Sequence, residues 1–208
     1  MTDRRVWARI PSASAEPPVS SVQILRTAVQ RAAAAGVQWI QIREKDLAGS
    51  LLAEVVRQAV QDTKAAAVKI IVNDRLDVAI ACGAAGVHLG EASLPVESVA
   101  EWRKNSGKKD FLIGVSCHSR EAARDAERGG ADYIHFGPVY ATPSKLKFGP
   151  PQGLEKLRDV CAAVRIPVLA IGGVTFENAR ECLAAGAAGF AAIRLFQETA
   201  TPTPRPGF

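Results

Sequence analysis

Trp39-Ile40-Gln41-Ile42-Arg43-Glu44-Lys45 begins as an apolar strand, announced by Gly36-Val37, and ends in charge. Side chains along a strand alternate between faces, so the pattern predicts Gln41, Arg43 and Lys45 on one face and Ile40 and Ile42 on the other. A parallel strand buried on both faces is apolar on both. Here an amide, a guanidinium and an ammonium follow one another at the strand's C-terminal end. Aimed into a core, they would be costly without an anion to meet them. The alternative is an exposed edge strand with solvated charges. The reading preferred is an anion site at the mouth of a parallel α/β fold.

The same pattern recurs along the chain. A helical stripe over Val19 to Ala35 ends at Gly36 and feeds the Gln41 strand. Helix Leu51–Ala66 leads to Val68–Val72, and helix Leu76–Cys82 leads to Gly86–Gly90. Helix Pro95–Asn105, with Pro95 in its first turn, leads to Phe111–Ser116. Helix Ser119–Arg128, with Ser119 as N-cap, leads to Tyr133–Gly137. Helix Leu154–Val164 leads to Pro167–Gly173, and helix Phe176–Ala185 to Gly189–Ile193. Seven strands alternating with helices predict a parallel sheet covered by helices. With Val6–Ile10 as an eighth strand they predict a small (β/α)8 TIM barrel. A doubly wound open sheet is the runner-up, but the Gly-rich fingerprint expected after its first strand is missing.

Length and composition fit one domain. The chain has 208 residues, 48% of them hydrophobic and 23% charged, as in an ordinary globular protein. Residues 1–208 are read as a single barrel domain, with an irregular, Pro- and Ser-rich segment over 1–18 and a flexible tail over 198–208. No apolar run approaches the ~18 residues of a membrane helix, and Met1-Thr2-Asp3-Arg4-Arg5 lacks the apolar core of a secretion signal. Cys82, Cys117, Cys161 and Cys182 are scattered without metal-ligand spacing, which predicts reduced, buried thiols in a cytoplasmic protein. The net charge of +5 is not gathered into a basic stripe with aromatics, so neither nucleic acid nor a membrane is the expected partner. A small anionic substrate accounts for the surplus.

In a (β/α)8 barrel the active site lies at the C-terminal ends of the strands. Those ends carry Gln41/Arg43/Lys45, Asn73/Asp74, His88, Ser116/His118, Thr142/Ser144/Lys145, Gly172-Gly173 and Ile193-Arg194. Each has a plainer explanation. Asn73-Asp74 before an apolar helix also reads as an N-cap, His88 between apolar neighbours as a satisfied core histidine, and Gly172-Gly173 as a turn. In this fold, however, loops after the last two strands commonly hold phosphate on backbone N–H groups, which glycine lets approach closely. The stretch 140–153, with hydroxyls and lysines between prolines, suits a lid over an anion.

Gln41–Lys45, Ile71–Arg75, Gly86–Gly90, Gly114–His118, Ala131–Tyr133 with Phe136–Pro138, Thr142–Lys145 and Ile171–Val174 together resemble thiamine-phosphate synthases and their thiazole tautomerase relatives. The resemblance runs from about Val19 to Phe196. It implies a transferase that joins a hydroxymethylpyrimidine diphosphate to a thiazole phosphate with release of diphosphate. The pyrimidine–oxygen bond would break largely before the carbon–nitrogen bond forms, so the site must stabilise a leaving diphosphate and keep water from a pyrimidine cation. By resemblance, Arg43, Lys45, Asn73 and Lys145 grip the diphosphate, with Gln41 and Ser116 placing it. Thr142, Ser144, Gly172, Gly173, Ile193 and Arg194 would hold the thiazole phosphate. Lys145 and Arg43 would be the electrostatic catalysts, with Ser116 and His118 in the catalytic set. The cofactor implied is Mg2+.

Two positions depart from the family pattern. Asp74 matches one magnesium carboxylate, but the second falls at Ser93, whose hydroxyl is a weaker ligand. A small residue after the last strand's isoleucine is Arg194. Both pull toward a tautomerase, in which His118 shuttles a proton on a thiazole carboxylate phosphate. Gln41, Arg43, Lys45, Asn73 and Asp74 pull back to the synthase, since they would be idle without diphosphate. A non-catalytic binder of thiamine phosphates is the reading from another class. At the N-terminus, Thr2-Asp3-Arg4 resembles the end of the family's first strand, which implies a start placed inside that strand. Prolines 202 and 204 imply a stunted last helix. The seam so left is expected to be closed by Val6–Ile10 or by a second subunit of a homo-oligomer.

Overall fold

The computed structural model describes residues 19–142, 150–193 and 195. Its elements are α1 (Val19–Ala34), β1 (Trp39–Ile42), α2 (Gly49–Thr63), a 3-10 turn (Lys64–Ala66), β2 (Lys69–Asn73), α3 (Leu76–Ala81) and β3 (Gly86–Leu89). Then follow α4 (Val96–Asn105), β4 (Leu112–Cys117), α5 (Arg120–Arg128), β5 (Tyr133–Phe136), α6 (Gly153–Ala163), β6 (Val168–Ile171), α7 (Ala179–Ala184) and β7 (Gly189–Ala191). The strands run in the order β1 to β7, and the β1–β2, β4–β5, β5–β6 and β6–β7 pairs are parallel. A doubly wound sheet reverses strand order at its switch point; this order never reverses, which is the winding of a (β/α) barrel. The expected strand Val6–Ile10, the segment 1–18 and the tail 198–208 lie outside the described residues.

The described residues fall into two compact units, one up to Val87 together with Ile193, the other from His88 to Ala192. In the first, α1 buries Leu25, Val29 and Ala32 on the stripe the periodicity marks, and Arg26 holds Asp62 of α2 at 2.7 Å. Full burial of such a leucine or valine contributes about 1.5–3 kcal/mol. In the second, Cys117, Ile134, Phe136, Val168 and Ala170 on one sheet face meet Ala123, Ala126, Leu157, Val160 and Cys182 of the helices. Cys82, Cys117 and Cys182 are buried and all four thiols are free. Burial pushes the Cys117 thiol up to about 12. No helix among the described residues is long and apolar enough to cross a membrane.

One device sets where strands start. After α1, Gly36 has φ +77, and its N–H and that of Val37 donate back to the Ala33 and Ala32 carbonyls. This paired helix stop requires a left-handed residue, which glycine adopts without strain. The same bonds recur at Gly83, Gly130 and Gly186. Two residues after each of these three, an N–H docks on the preceding strand: Ala85 on Ile70, Asp132 on Ile113, Ala188 on Val168.

Three expectations need correction. β1 stops at Ile42, so Arg43 and Lys45 do not continue the pleat that carries Gln41. Its partner β2 ends at Asn73, where Asp74 turns off with φ +61, and the ladder has nothing further to pair with. Asn73-Asp74 is not an N-cap: Arg75 occupies the cap position of α3, with no side-chain bond. The helix expected from Phe176 starts only at Ala179, because Thr175 and Asn178 bond each other across the intervening turn. Ser119 does cap α5, accepting from the Ala122 N–H at 3.0 Å.

Asp132, which precedes β5, accepts from Arg103 of α4 and from the Ile113 N–H at 2.7 Å, while Arg103 also donates to the Phe111 and Gly130 carbonyls. These bonds tie the N-terminal ends of β4 and β5, where a barrel keeps its stability rather than its chemistry. Asp132→Ala strands a half-buried guanidinium and a buried N–H, and should lower stability by about 3 kcal/mol in urea unfolding. Asp132→Asn, which keeps one acceptor oxygen, should cost less than half of that.

Candidate functional site

In the first unit a carboxylate orders two amides. Asp74 accepts from Asn73 Nδ2 at 2.6 Å, and Asn73 Oδ1 accepts from Gln41 Nε2 at 2.7 Å. A carboxylate only accepts, so the direction of the chain is forced from Asp74 to Asn73 to Gln41. Its far end is the Gln41 Oε1 acceptor, buried and without a partner among the described residues. The backbone of Asp74 is left-handed, a conformation that Asp tolerates at a cost of about 1–2 kcal/mol. A pocket of about 260 Å³ lies beside this chain, lined by Glu44, Lys45, Leu47, Leu52, Asn73, Asp74 and Arg75. Arg43 is half-buried and is not part of that lining. Glu44 is: it is 6% exposed, and with the strand ended at Ile42 no alternation pointed to it.

In the second unit the strands turn a polar face one way. His88 of β3 places Nε2 2.9 Å from Ser116 Oγ of β4, and Nδ1 3.2 Å from the Tyr133 hydroxyl of β5. The His135 ring stacks on His88 at 4.1 Å between centroids. Gly114 makes room for them: a Cβ there would stand 2.1 Å from the Tyr133 ring and 2.6 Å from His88 Nδ1. His88 is thus a satisfied core histidine, 1% exposed, and at the same time the group that orients Ser116. Burial, and then the charge a protonated His88 would bring, hold the His135 imidazole well below its ordinary value, so it stays neutral. Burial also raises the Tyr133 phenol.

His118 follows β4, its side chain 40% exposed. Its Nδ1 meets the Gly137 carbonyl; a carbonyl only accepts, so Nδ1 carries the hydrogen and Nε2 faces Glu91 Oε1 at 3.8 Å. Ser93 Oγ accepts from the Gly90 N–H at 2.7 Å, and the Ser93 N–H donates back to the Gly90 carbonyl. Ser93 therefore closes the turn after β3, a task that an aspartate could perform with one oxygen to spare.

Gly172 and Gly173 follow β6 with φ +91 and +69. An added Cβ would come within 2.5 Å of Pro138 at the first and 2.7 Å of the Ala141 carbonyl oxygen at the second. The loop therefore lies against the segment that carries Thr142, which is 8% exposed. Ile193 is half-buried after β7. Ser144, Lys145 and Arg194 lie outside the described residues. No group of three or more metal-ligating side chains occurs among the described residues.

Residues 17–196 match the thiamine monophosphate synthase family. A protein of Geobacter sulfurreducens is 46% identical over 181 residues, 87% of this chain and 82% of its own length. The thiamine-phosphate synthase of Methanocella arvoryzae is 45% identical over 164 residues, 79% of this chain and 76% of that protein. Among solved structures, the thiamine phosphate pyrophosphorylase from Pyrococcus furiosus superposes with a TM-score of 0.77 at 34% identity, over 97% of this chain and 87% of that one.

The neutral His135 has a pH consequence. Its folded value lies below the unfolded value of about 6.5, so the unfolded chain binds the extra proton in the window between them. The stability this contributes is present above pH ~6.5 and is lost as pH falls through the folded value. Urea midpoints measured from pH 7.5 down to 5 should decline, and His135→Phe should flatten the decline. An imidazole signal from His135 titrating near 6.5 would contradict the assignment.

Proposed function

The chain belongs to the thiamine monophosphate synthase family, and on that premise we propose that it is a thiamine-phosphate synthase, joining hydroxymethylpyrimidine diphosphate to thiazole phosphate with release of diphosphate. The observation that carries the reading is the directed chain from Asp74 through Asn73 to Gln41 beside a pocket that Lys45 and Asp74 share. In this reading Lys45, Arg43 and the remaining Asn73 N–H meet the diphosphate, with Lys145 supplied from the 140–153 loop. Each cation gains as negative charge builds on the leaving oxygen. Gln41 is reassigned. Its Nε2 gives one hydrogen to Asn73, and its buried Oε1 is left as an acceptor suited to an N–H donor on a heterocycle. Ser116, steered by His88, keeps the placing role that the family resemblance implies for it. Thr142, Ser144, Gly172, Gly173, Ile193 and Arg194 form the thiazole-phosphate cradle. The relative from Methanocella arvoryzae carries the name of a synthase, which favours that reading, and His118 is left as a supporting proton carrier at Nε2.

The residues present suit magnesium in its usual manner, with one or two carboxylates beside substrate phosphates and water. Asp74, which accepts from Asn73 through Oδ2, and Glu44 line the same pocket. The chemistry that a bound magnesium ion supplies is neutralisation of diphosphate charge. No carboxylate stands at position 93. A soluble cytoplasmic setting and a homo-oligomer belong to the same proposal.

The deciding assay supplies both precursors with and without Mg2+ and reads the product by mass spectrometry: thiamine phosphate and diphosphate are expected. Arg43→Ala and Lys145→Ala should each cut turnover at least ~10²-fold without loss of folding; wild-type rates would overturn the diphosphate assignment. Ser93→Asp should tighten Mg2+ binding in the presence of diphosphate, read by calorimetry, and raise turnover. Unchanged metal affinity would remove position 93 from the metal shell.

A further inference from the structure

We propose that Asn178 is a positioning residue that aims the backbone N–H groups of the Gly172–Gly173 loop at the substrate phosphate; this rests on the reading of that loop as the phosphate cradle. Asn178 has an evident structural duty. Its Oδ1 accepts from the Thr175 N–H at 2.8 Å, and Thr175 Oγ1 accepts from the Asn178 N–H at 3.4 Å. That reciprocal pair closes the turn that enters α7 in the manner of a capping box, and such a turn needs nothing more. Yet Nδ2 of Asn178 reaches back five residues and donates to the Gly173 carbonyl at 3.0 Å.

That extra bond completes a set. The Ile171 carbonyl accepts from the Val139 N–H and the Gly172 carbonyl from the Tyr140 N–H, both at 2.9 Å. With Gly173 held by Asn178, three consecutive carbonyls are clamped. A trans peptide is planar, with its C=O and the following N–H antiparallel. Clamping the carbonyls of Ile171, Gly172 and Gly173 therefore aims the N–H groups of Gly172, Gly173 and Val174 the other way. The Gly172 N–H lies on the side of β6 that pairs with β7, while those of Gly173 and Val174 donate to no backbone carbonyl among the described residues. Unpaired backbone donors in a half-buried loop are costly unless a ligand takes them. Two of the clamps are backbone bonds from the segment leading to Thr142, which no side-chain change can remove. The third is made by one side chain, so the direction of the Val174 N–H depends on Asn178.

Steady-state kinetics of the full chain separates this role from capping. Asn178→Ala should raise KM for thiazole phosphate about tenfold, the loss of one well-placed donor, with KM for the pyrimidine diphosphate unchanged. The Ki of inorganic phosphate as a competitor of thiazole phosphate should rise in parallel. Thr175→Ala breaks the cap but leaves the clamp; it should lower Tm comparably while both KM values stay within about twofold. Should Asn178→Ala fold poorly, Asn178→Asp retains the Oδ1 acceptor for the cap and loses only the donor, and the same rise in KM is expected. An unchanged KM for thiazole phosphate in either Asn178 variant overturns the proposal and leaves the cradle standing if phosphate still competes. A wild-type chain that turns over but is not inhibited by phosphate overturns the cradle and this proposal together.

Discussion

The N–H that docks two residues past a helix-ending glycine is the bond on which the rest depends. Ala85, Asp132 and Ala188 each make it, to Ile70, Ile113 and Val168. It fixes the register of an incoming strand against the one before. Because parallel strands of four or so residues are short, register at the start also decides which residue stands at the end. Shifted by one, His88, Ser116 and His135 would exchange faces with Leu89, Cys117 and Phe136. The polar groups would then enter the helix-packed layer, where nothing could satisfy them.

Within that frame, charge is ordered by what can only accept. Asp74 can donate nothing when ionised, so Asn73 must donate to it and Gln41 to Asn73. Two amides that might otherwise flip are given a direction by one carboxylate. The left-handed backbone of Asp74 brings that carboxylate to bear and ends the β1–β2 ladder at the same point. The interruption of the sheet and the start of the site are one event.

The second unit solves a different problem, polar side chains on a sheet face away from water. His88 uses both ring nitrogens, Tyr133 supplies a hydroxyl, and His135 stays uncharged against the His88 ring. Low dielectric makes such a network stiff when it is satisfied and costly when it is not. That network holds the Ser116 hydroxyl, which His88 meets at 2.9 Å, in one direction. At Gly172–Gly173 the backbone is held instead by bonds to the Ile171, Gly172 and Gly173 carbonyls.

Much of this was legible in the chain. Alternation of glycine-ended helices with short apolar strands determined the α/β class and the order of winding, because helix stops and strand periodicity are local chemistry. The motif residues Gln41, Asn73, Asp74, Ser116, Gly172 and Gly173 were likewise marked by their place at strand ends. Local pattern misled where a neighbour decided the outcome. Alternation carried Arg43 and Lys45 onto the face of Gln41, but β1 can extend only as far as β2 pairs with it. Asn73-Asp74 had a cap as its plainer alternative, which the Arg75 cap position and the bond from Asn73 to the Asp74 side chain remove. Glu44, the His88–Tyr133 pair and the reach of Asn178 to Gly173 carried no signal, since each depends on a partner or a fold in the backbone that spacing does not encode. Residue type and period are properties of the chain. Which donor meets which acceptor across strands is decided only when the sheet brings them within three ångströms or so.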